Sequence, residues 1–245
     1  MNSEPHINAS CLSDKGLQRS CNEDICSANL EHNFFVVADG IGGAAAGELA
    51  SRIFLNTAME IFNNGTPLTN NEAAELVATC FAEANQAIQQ HTKTNPAHHG
   101  MGCTAELLVT CGNSYILGHI GDSRSYCFAN GKLELLTKDH SLVQEQLDMG
   151  VITKQQAENS RLKNVLIRAV GIDSQISVDI HSGPLTPNSV FLLCSDGLYN
   201  MVSTEKIVPV LEYDAPLSLK TEMLVNMAND AGGVDNISVC LVEIS

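Results

Sequence analysis

The sequence predicts a layered α+β fold in which two antiparallel sheets are covered by helix pairs. Three observations carry that prediction. Short apolar strand-like runs follow one another across tight turns, helices come in blocks rather than after each strand, and each helix presents one apolar stripe that needs cover.

Strands are read around Ile7–Leu12, around Ile25–Ala28 and in the run Phe34–Ala38, which stops at Asp39-Gly40-Ile41-Gly42-Gly43, a turn that opens a helix. In that helix Ala50, Ile53, Phe54, Thr57, Ala58 and Ile61 form a stripe at helical spacing, closed by Asn63-Asn64-Gly65. A second helix begins with the capping box Thr69-x-x-Glu72 and carries Ala73, Val77, Cys80, Phe81, Ala84 and Ile88 on one face. From Gly102 the period becomes that of strands: Thr104–Thr110, Tyr115–Ile120, Ser125–Phe128 and Leu133–Leu136, with hairpin signals at Gly112-Asn113 and Asn130-Gly131. Helical text resumes from Ser141 to about Asn159, with Thr153-x-x-Gln156 as a second cap. Strands return at Ile176–His181 and Val190–Cys194, a helix follows Pro216, and Ile237–Ile244 is a last strand. No repeat, linker or low-complexity tract divides the chain, so residues 1–245 are read as one domain.

Composition narrows the function. With 44% hydrophobic residues, 4% aromatic and no Trp, the chain is globular with an aliphatic core. Thirteen Lys and Arg against 28 Asp and Glu give a formal charge of −15, which argues against nucleic acid or an anionic membrane surface as partner. Nine Cys without paired C-x-x-C spacing read as reduced, packed thiols, and with no signal-peptide pattern at Met1–His6 the expected compartment is the cytoplasm.

Four acidic residues share a context, each at or beside the end of an apolar strand and followed by a small or polar residue: Asp39, Asp122, Asp196 and Asp235. A fifth group is Glu23-Asp24, just before the strand at Ile25. One Asp-Gly is commonly a turn. Several carboxylates converging in one core need a cation to offset their repulsion, and an all-oxygen donor set selects Mg²⁺ or Mn²⁺ over zinc. Two such ions activate a water for in-line attack on phosphorus. Arg19, four residues before Glu23, offers a planar fork suited to phosphate oxygens.

The ordered strings Ser13-Asp14-x-Gly16-x-x-Arg19-x-x-Asn22-Glu23-Asp24, Ala38-Asp39-Gly40-x-Gly42-Gly43, Gly121-Asp122-Ser123-Arg124, Ser195-Asp196-Gly197-Leu198 and Asp235-Asn236-x-Ser238-Val239 resemble the motifs of the type 2C metal-dependent protein phosphatases. Thr137-Lys138-Asp139-His140-Ser141 and Asn164-Val165-Leu166-x-Arg168-Ala169-x-Gly171 are similar to the bacterial members. The resemblance implies a four-layer αββα fold with a central β-sandwich and two metals at one end. Asp39 would bridge both ions and the Gly40 carbonyl would bind the second. Asp196 and Asp235 would complete the first, Glu23 and Asp24 would act through water, and Arg19 would hold the phosphate. Asp122 would join Asp196 at a weak third site, and the segment from about 141 to 168 would be a flap beside the active site. Substrates would be phosphoserine and phosphothreonine proteins, those of a cognate kinase, met by a monomer.

Two positions depart from that pattern. Ile41 stands where relatives often carry His, so the leaving-group proton comes from a metal-bound water or another residue. Asn200 stands where many carry Asp, so a third ion binds weakly or not at all. These departures leave open a phosphoprotein-binding module without turnover; a second alternative, independent of them, is a metal-dependent hydrolase of small phosphate esters or phosphodiesters. Residues with plainer readings are Asp14 as a turn residue, Asp139 as a cap for the helix at Ser141, His119 as a satisfied core histidine, His140 as a packing or hydrogen-bonding residue, His98-His99 as solvated, and Arg124 in a structural ion pair.

Overall fold

A computed structural model of the chain describes residues 5–42, 46–63 and 69–245. One sheet holds, in spatial order, β1 (Ile7–Asp14), β12 (Ile237–Ile244), β11 (Ser189–Cys194), β8 (Arg124–Ala129) and β9 (Lys132–Leu135). The other holds β10 (Asp179–Pro184), β7 (Ser114–Ile120), β6 (Ala105–Cys111), β3 (Phe34–Ala38) and β2 (Ile25–Asn29). A short ribbon pairs β4 (Gly40–Ile41) with β5 (Gly102–Cys103). Neighbours in both sheets run antiparallel, as expected from the tight turns.

Alternation along the central strands explains the layering. On β3, Phe34, Val36 and Ala38 face α1 (Ala46–Phe62) and α2 (Asn70–Thr94), whereas Phe35 and Val37 face the opposite sheet. On β12, Val239 and Leu241 face α5 (Asp196–Tyr199), α6 (Thr204–Glu212) and α7 (Leu217–Asp230), whereas Cys240 and Val242 meet β3 and β6 across the sandwich. The central strands of both sheets are therefore buried on both faces, and the order is helices, sheet, sheet, helices. Gly118 on β7 lets α2 close in, because a Cβ there would stand 2.5 Å from Val77 and 2.6 Å from Phe81. Fully burying one such Phe stabilises by roughly 2–3 kcal/mol.

The Asn130-Gly131 hairpin forms with both residues at positive φ (51° and 74°), as its sequence demands. Both predicted capping boxes form, at Thr69 and at Thr153. Elsewhere the structure differs. The helix expected over 141–159 is two, α3 (Leu142–Asp148) and α4 (Lys154–Glu158), because Gly150 turns left-handed (φ 68°) after α3. Its cap is Ser141, which accepts from the Gln144 N–H at 3.2 Å; Asp139, expected there, is held instead by Arg124. The strand expected at 176–181 lies at 179–184 in register with β7. The helix α6 escapes the periodic reading because it contains Pro209. Gly43, Asn64 and Gly65, used in the expectations above, lie outside the described residues.

Candidate metal centre

Strand ends and tight glycine contacts bring the acidic residues together. Asp39 ends β3, and its N–H donates to Thr104 Oγ1 at 3.1 Å while the Thr104 N–H donates to the Asp39 carbonyl at 2.9 Å. Gly40 follows, where an added Cβ would sit 2.2 Å from the Gly47 carbonyl and 2.5 Å from that of Glu23. Only a glycine lets the start of α1 and the Glu23 loop close on the same point. Asp196 opens α5 directly after β11, and Gly197 is equally pressed, 1.9 Å from the Asn236 carbonyl if it bore a Cβ.

Asn236 ties the far ends of the chain into this place. Its Nδ2 donates to the carbonyls of Lys15 (2.8 Å) and Cys21 (2.9 Å), and its Oδ1 accepts from the Glu23 N–H (2.8 Å). The loop carrying Arg19 and Glu23 is thereby fixed to Asp235. Asp122 enters from the end of β7 over Gly121 (φ 109°), and Tyr199 Oη donates to its carbonyl at 2.9 Å.

Arg19, Glu23, Asp39, Gly40, Asp122, Asp196 and Asp235 line one pocket of about 490 Å³, together with Ile41, Thr104 and Arg168. Asp24 stands behind the wall, buried, with Oδ2 accepting from Ser195 Oγ at 2.7 Å. Arg19 does not stand free: one terminal nitrogen lies 2.7 Å from Asp235 Oδ2. Asn200 Nδ2 donates to Asp196 Oδ2 at 3.0 Å, so this amide serves the carboxylate as a donor. Ile41 lines the pocket as an apolar wall.

The electrostatics of this cluster are strained. Burial, then the charges of Asp24, Asp196, Asp122 and Asp235, hold the Asp39 carboxyl well above the usual carboxylate range. Burial also pushes Asp122 up to about 8, helped by Asp196 and Asp139, and Asp196 up to about 6, helped by Asp235 and countered by Lys163 and Arg19. Asp24 rises to about 7 through burial, against hydrogen bonds from Ser195 and Ser238. Asp24 Oδ1 and Asp196 Oδ1 are buried without a hydrogen-bond partner. Buried oxygens left unpaired beside several like charges are costly unless cations complete them, so the donor set fits hard divalent ions. Among the described residues no three His, Cys, Asp or Glu side chains are placed to hold one ion together; the carboxylates line a common pocket instead.

The plainer residues find plain roles. Asp14 accepts from the Gly16 N–H at 2.8 Å, and Arg124 grips Asp139 through two contacts of 2.9 and 2.8 Å. His140 Nδ1 accepts from the Gly121 N–H at 3.1 Å, and its Nε2 donates to Asp179 Oδ2 at 3.1 Å. His99 is exposed as expected, but His98 is not simply solvated: it is half-buried and stacks on His91, with ring nitrogens 2.9 Å apart. Sequence reasoning missed the holding roles of Asn236, Ser195 and Thr104. The first two stood inside the quoted motif strings; Thr104 was taken only as a strand residue.

Comparison with known proteins gives a consistent result. The family model described as Protein phosphatase 2C matches residues 17–231. A serine/threonine phosphatase, stp, of Listeria monocytogenes is 34% identical over 241 residues, covering 97% of this chain and 96% of that one. Protein phosphatase PhpP of Streptococcus pneumoniae is 37% identical over 239 residues, covering 96% and 97%. Among solved structures, the catalytic domain of the serine/threonine protein phosphatase PstP in complex with two manganese ions superposes with a TM-score of 0.88 at 30% identity, covering 97% of this chain and 98% of that one.

Proposed function

This chain belongs to the protein phosphatase 2C family and is a metal-dependent serine/threonine phosphatase that acts on phosphorylated proteins, and from that premise we propose how its own residues divide the work. Asp39 and the Gly40 carbonyl, with Asp196 and Asp235, hold two divalent ions, Mn²⁺ or Mg²⁺. Glu23 and Asp24 support them through water, and Asp122 offers a weaker third position beside Asp196. The observation that carries this reading is the pair of orphaned buried oxygens, Asp24 Oδ1 and Asp196 Oδ1, beside the crowded Asp39 carboxyl. When bound there, divalent ions would supply positive charge toward the phosphoryl oxygens and lower the pKa of a water, so that hydroxide is available as the nucleophile.

The chain's side chains do the rest. Arg19 orients the phosphate, its fork anchored at one nitrogen by Asp235. Thr104 and Gly40 fix the direction in which Asp39 points. Ile41 carries no proton, so the leaving serine or threonine oxygen is protonated by water or by another group of the pocket. The whole chain forms one phosphatase domain, with residues 141–168 its flap. It works in the cytoplasm as a monomer, on proteins phosphorylated by a cognate kinase and not on nucleic acid. Supporting this, no helix among the described residues is long and apolar enough to cross a membrane, and the net charge of −15 repels polyanions.

The test is hydrolysis of a phosphothreonine peptide by the unmodified chain and by Asp39→Asn, each with Mn²⁺, with Mg²⁺ and with chelator. The expected result is turnover that requires both the ion and Asp39. Near-normal turnover by Asp39→Asn would remove Asp39 from the centre.

A further inference from the structure

We infer that a second pocket beside the catalytic one is a subsite for carboxylate side chains flanking the phosphorylated residue of the substrate protein. The inference rests on the phosphatase reading above and names what the flap recognises. The second pocket, about 460 Å³, adjoins the first, since Asp122 and Asn164 line both. The flanking residues of a peptide with its phosphate beside Arg19 and Asp39 therefore lie next to it.

Its lining suits an acid. Lys154 on α4 and Lys163 after it both line the pocket, and both are exposed. Asn164, the residue after Lys163, lines both pockets, which places Lys163 beside the catalytic one. The remaining cation, Arg124, is already gripped at two points by Asp139 and lies over the Tyr199 ring at 3.8 Å. Asp122 is buried and belongs to the carboxylate cluster, which leaves Glu158 as the exposed acid of the lining.

The charge pattern supports the same occupant. Between Met149 and Arg168 stand Lys154, Arg161, Lys163 and Arg168 against Glu158 alone, in a chain whose net charge is −15. A solvated surface that followed the rest of the chain would be acidic here. A basic stretch at the mouth of the site attracts acidic flanks locally, where the acidic surface of the rest of the chain would repel them. Ammonium groups on flexible stems serve as point charges for carboxylates at varied spacing, so the subsite reads charge rather than one fixed residue.

Three phosphothreonine peptides with Glu, Ala or Lys flanks test this, with Mn²⁺, on the unmodified chain and on Lys154→Glu/Lys163→Glu. The quantity read is the kcat/KM ratio of Glu-flanked to Ala-flanked peptide within each protein, so differences in overall activity cancel. The unmodified chain is expected to favour the Glu peptide by roughly fivefold at low salt, from two exposed pairs. The preference should fade at 0.5 M salt and vanish or invert in the double variant. Glu158→Gln should raise the ratio. Equal rates on the three peptides by the unmodified chain, or a preference that survives the double charge reversal, overturn the subsite and leave the phosphatase intact. No hydrolysis of any peptide overturns the phosphatase reading and the subsite with it.

Discussion

Two acids on neighbouring strands of one sheet, one fully buried and one half-buried at the wall of a pocket, meet opposite fates. Glu106 on β6 lies fully buried, but His119 Nδ1 bonds one of its oxygens and Ser125 Oγ donates to the other. His119 in turn donates Nε2–H to the Lys138 carbonyl at 2.9 Å, so one further proton is shared within a closed pair. Asp39 ends β3, the strand beside β6, and its neighbours are other carboxylates, two of which keep an oxygen with no partner at all. A buried acid that is fully partnered holds a fold together. A cluster of acids that is not partnered is built for something to bind.

The comparison can be broken in four places. Asp39→Asn should lower metal-dependent hydrolysis at least about a thousandfold, as measured by phosphopeptide turnover. It should leave the chelated protein as stable as before or more so, because it removes a repelled charge; a large fall in its melting temperature would contradict the reading. Glu106→Ala should do the reverse, costing about 3 kcal/mol of stability by stranding His119, roughly 10 °C in thermal unfolding. Turnover measured well below that melting point should persist. Arg19→Ala should lower kcat/KM on a phosphopeptide by about tenfold to a hundredfold, mainly through KM, while the fold stays unchanged.

The smallest effect is in pH. In chelator, unfolded aspartates ionise near pH 4, whereas folded Asp196, Asp24 and Asp122 keep protons up to about 6, 7 and 8. The folded protein binds more protons across that window, so its stability should fall as pH rises from 5 to 8. Mn²⁺ should flatten the fall. A melting temperature that rises over that range in chelator would show that these carboxylates are not crowded.

Much of this contrast was legible in the residues. The carboxylates stood at the ends of apolar strands, where a polar residue marks the lip of a core, and His119 in an apolar run had to be satisfied. Glu106 was legible too, though unread. A two-residue turn at Gly112-Asn113 pairs Cys111 with Ser114, and counting back along that register sets Glu106 opposite His119. The role of Asn236 was not legible, because its partners Lys15, Cys21 and Glu23 lie more than 200 residues away and only the folded sandwich joins them. The division of α3 from α4 was signalled by Met149-Gly150, but the apolar spacing across it masked the stop.

The central claim is that the carboxylate cluster is completed by divalent ions gathered at Asp39. Calorimetric titration of chelator-treated protein with Mn²⁺ near pH 7.5, for the unmodified chain and Asp39→Asn, tests it most directly. The account predicts two ions per unmodified chain, bound with release of protons from the crowded carboxyls, and loss of most of that binding in Asp39→Asn. Unchanged stoichiometry and affinity in the variant would contradict it.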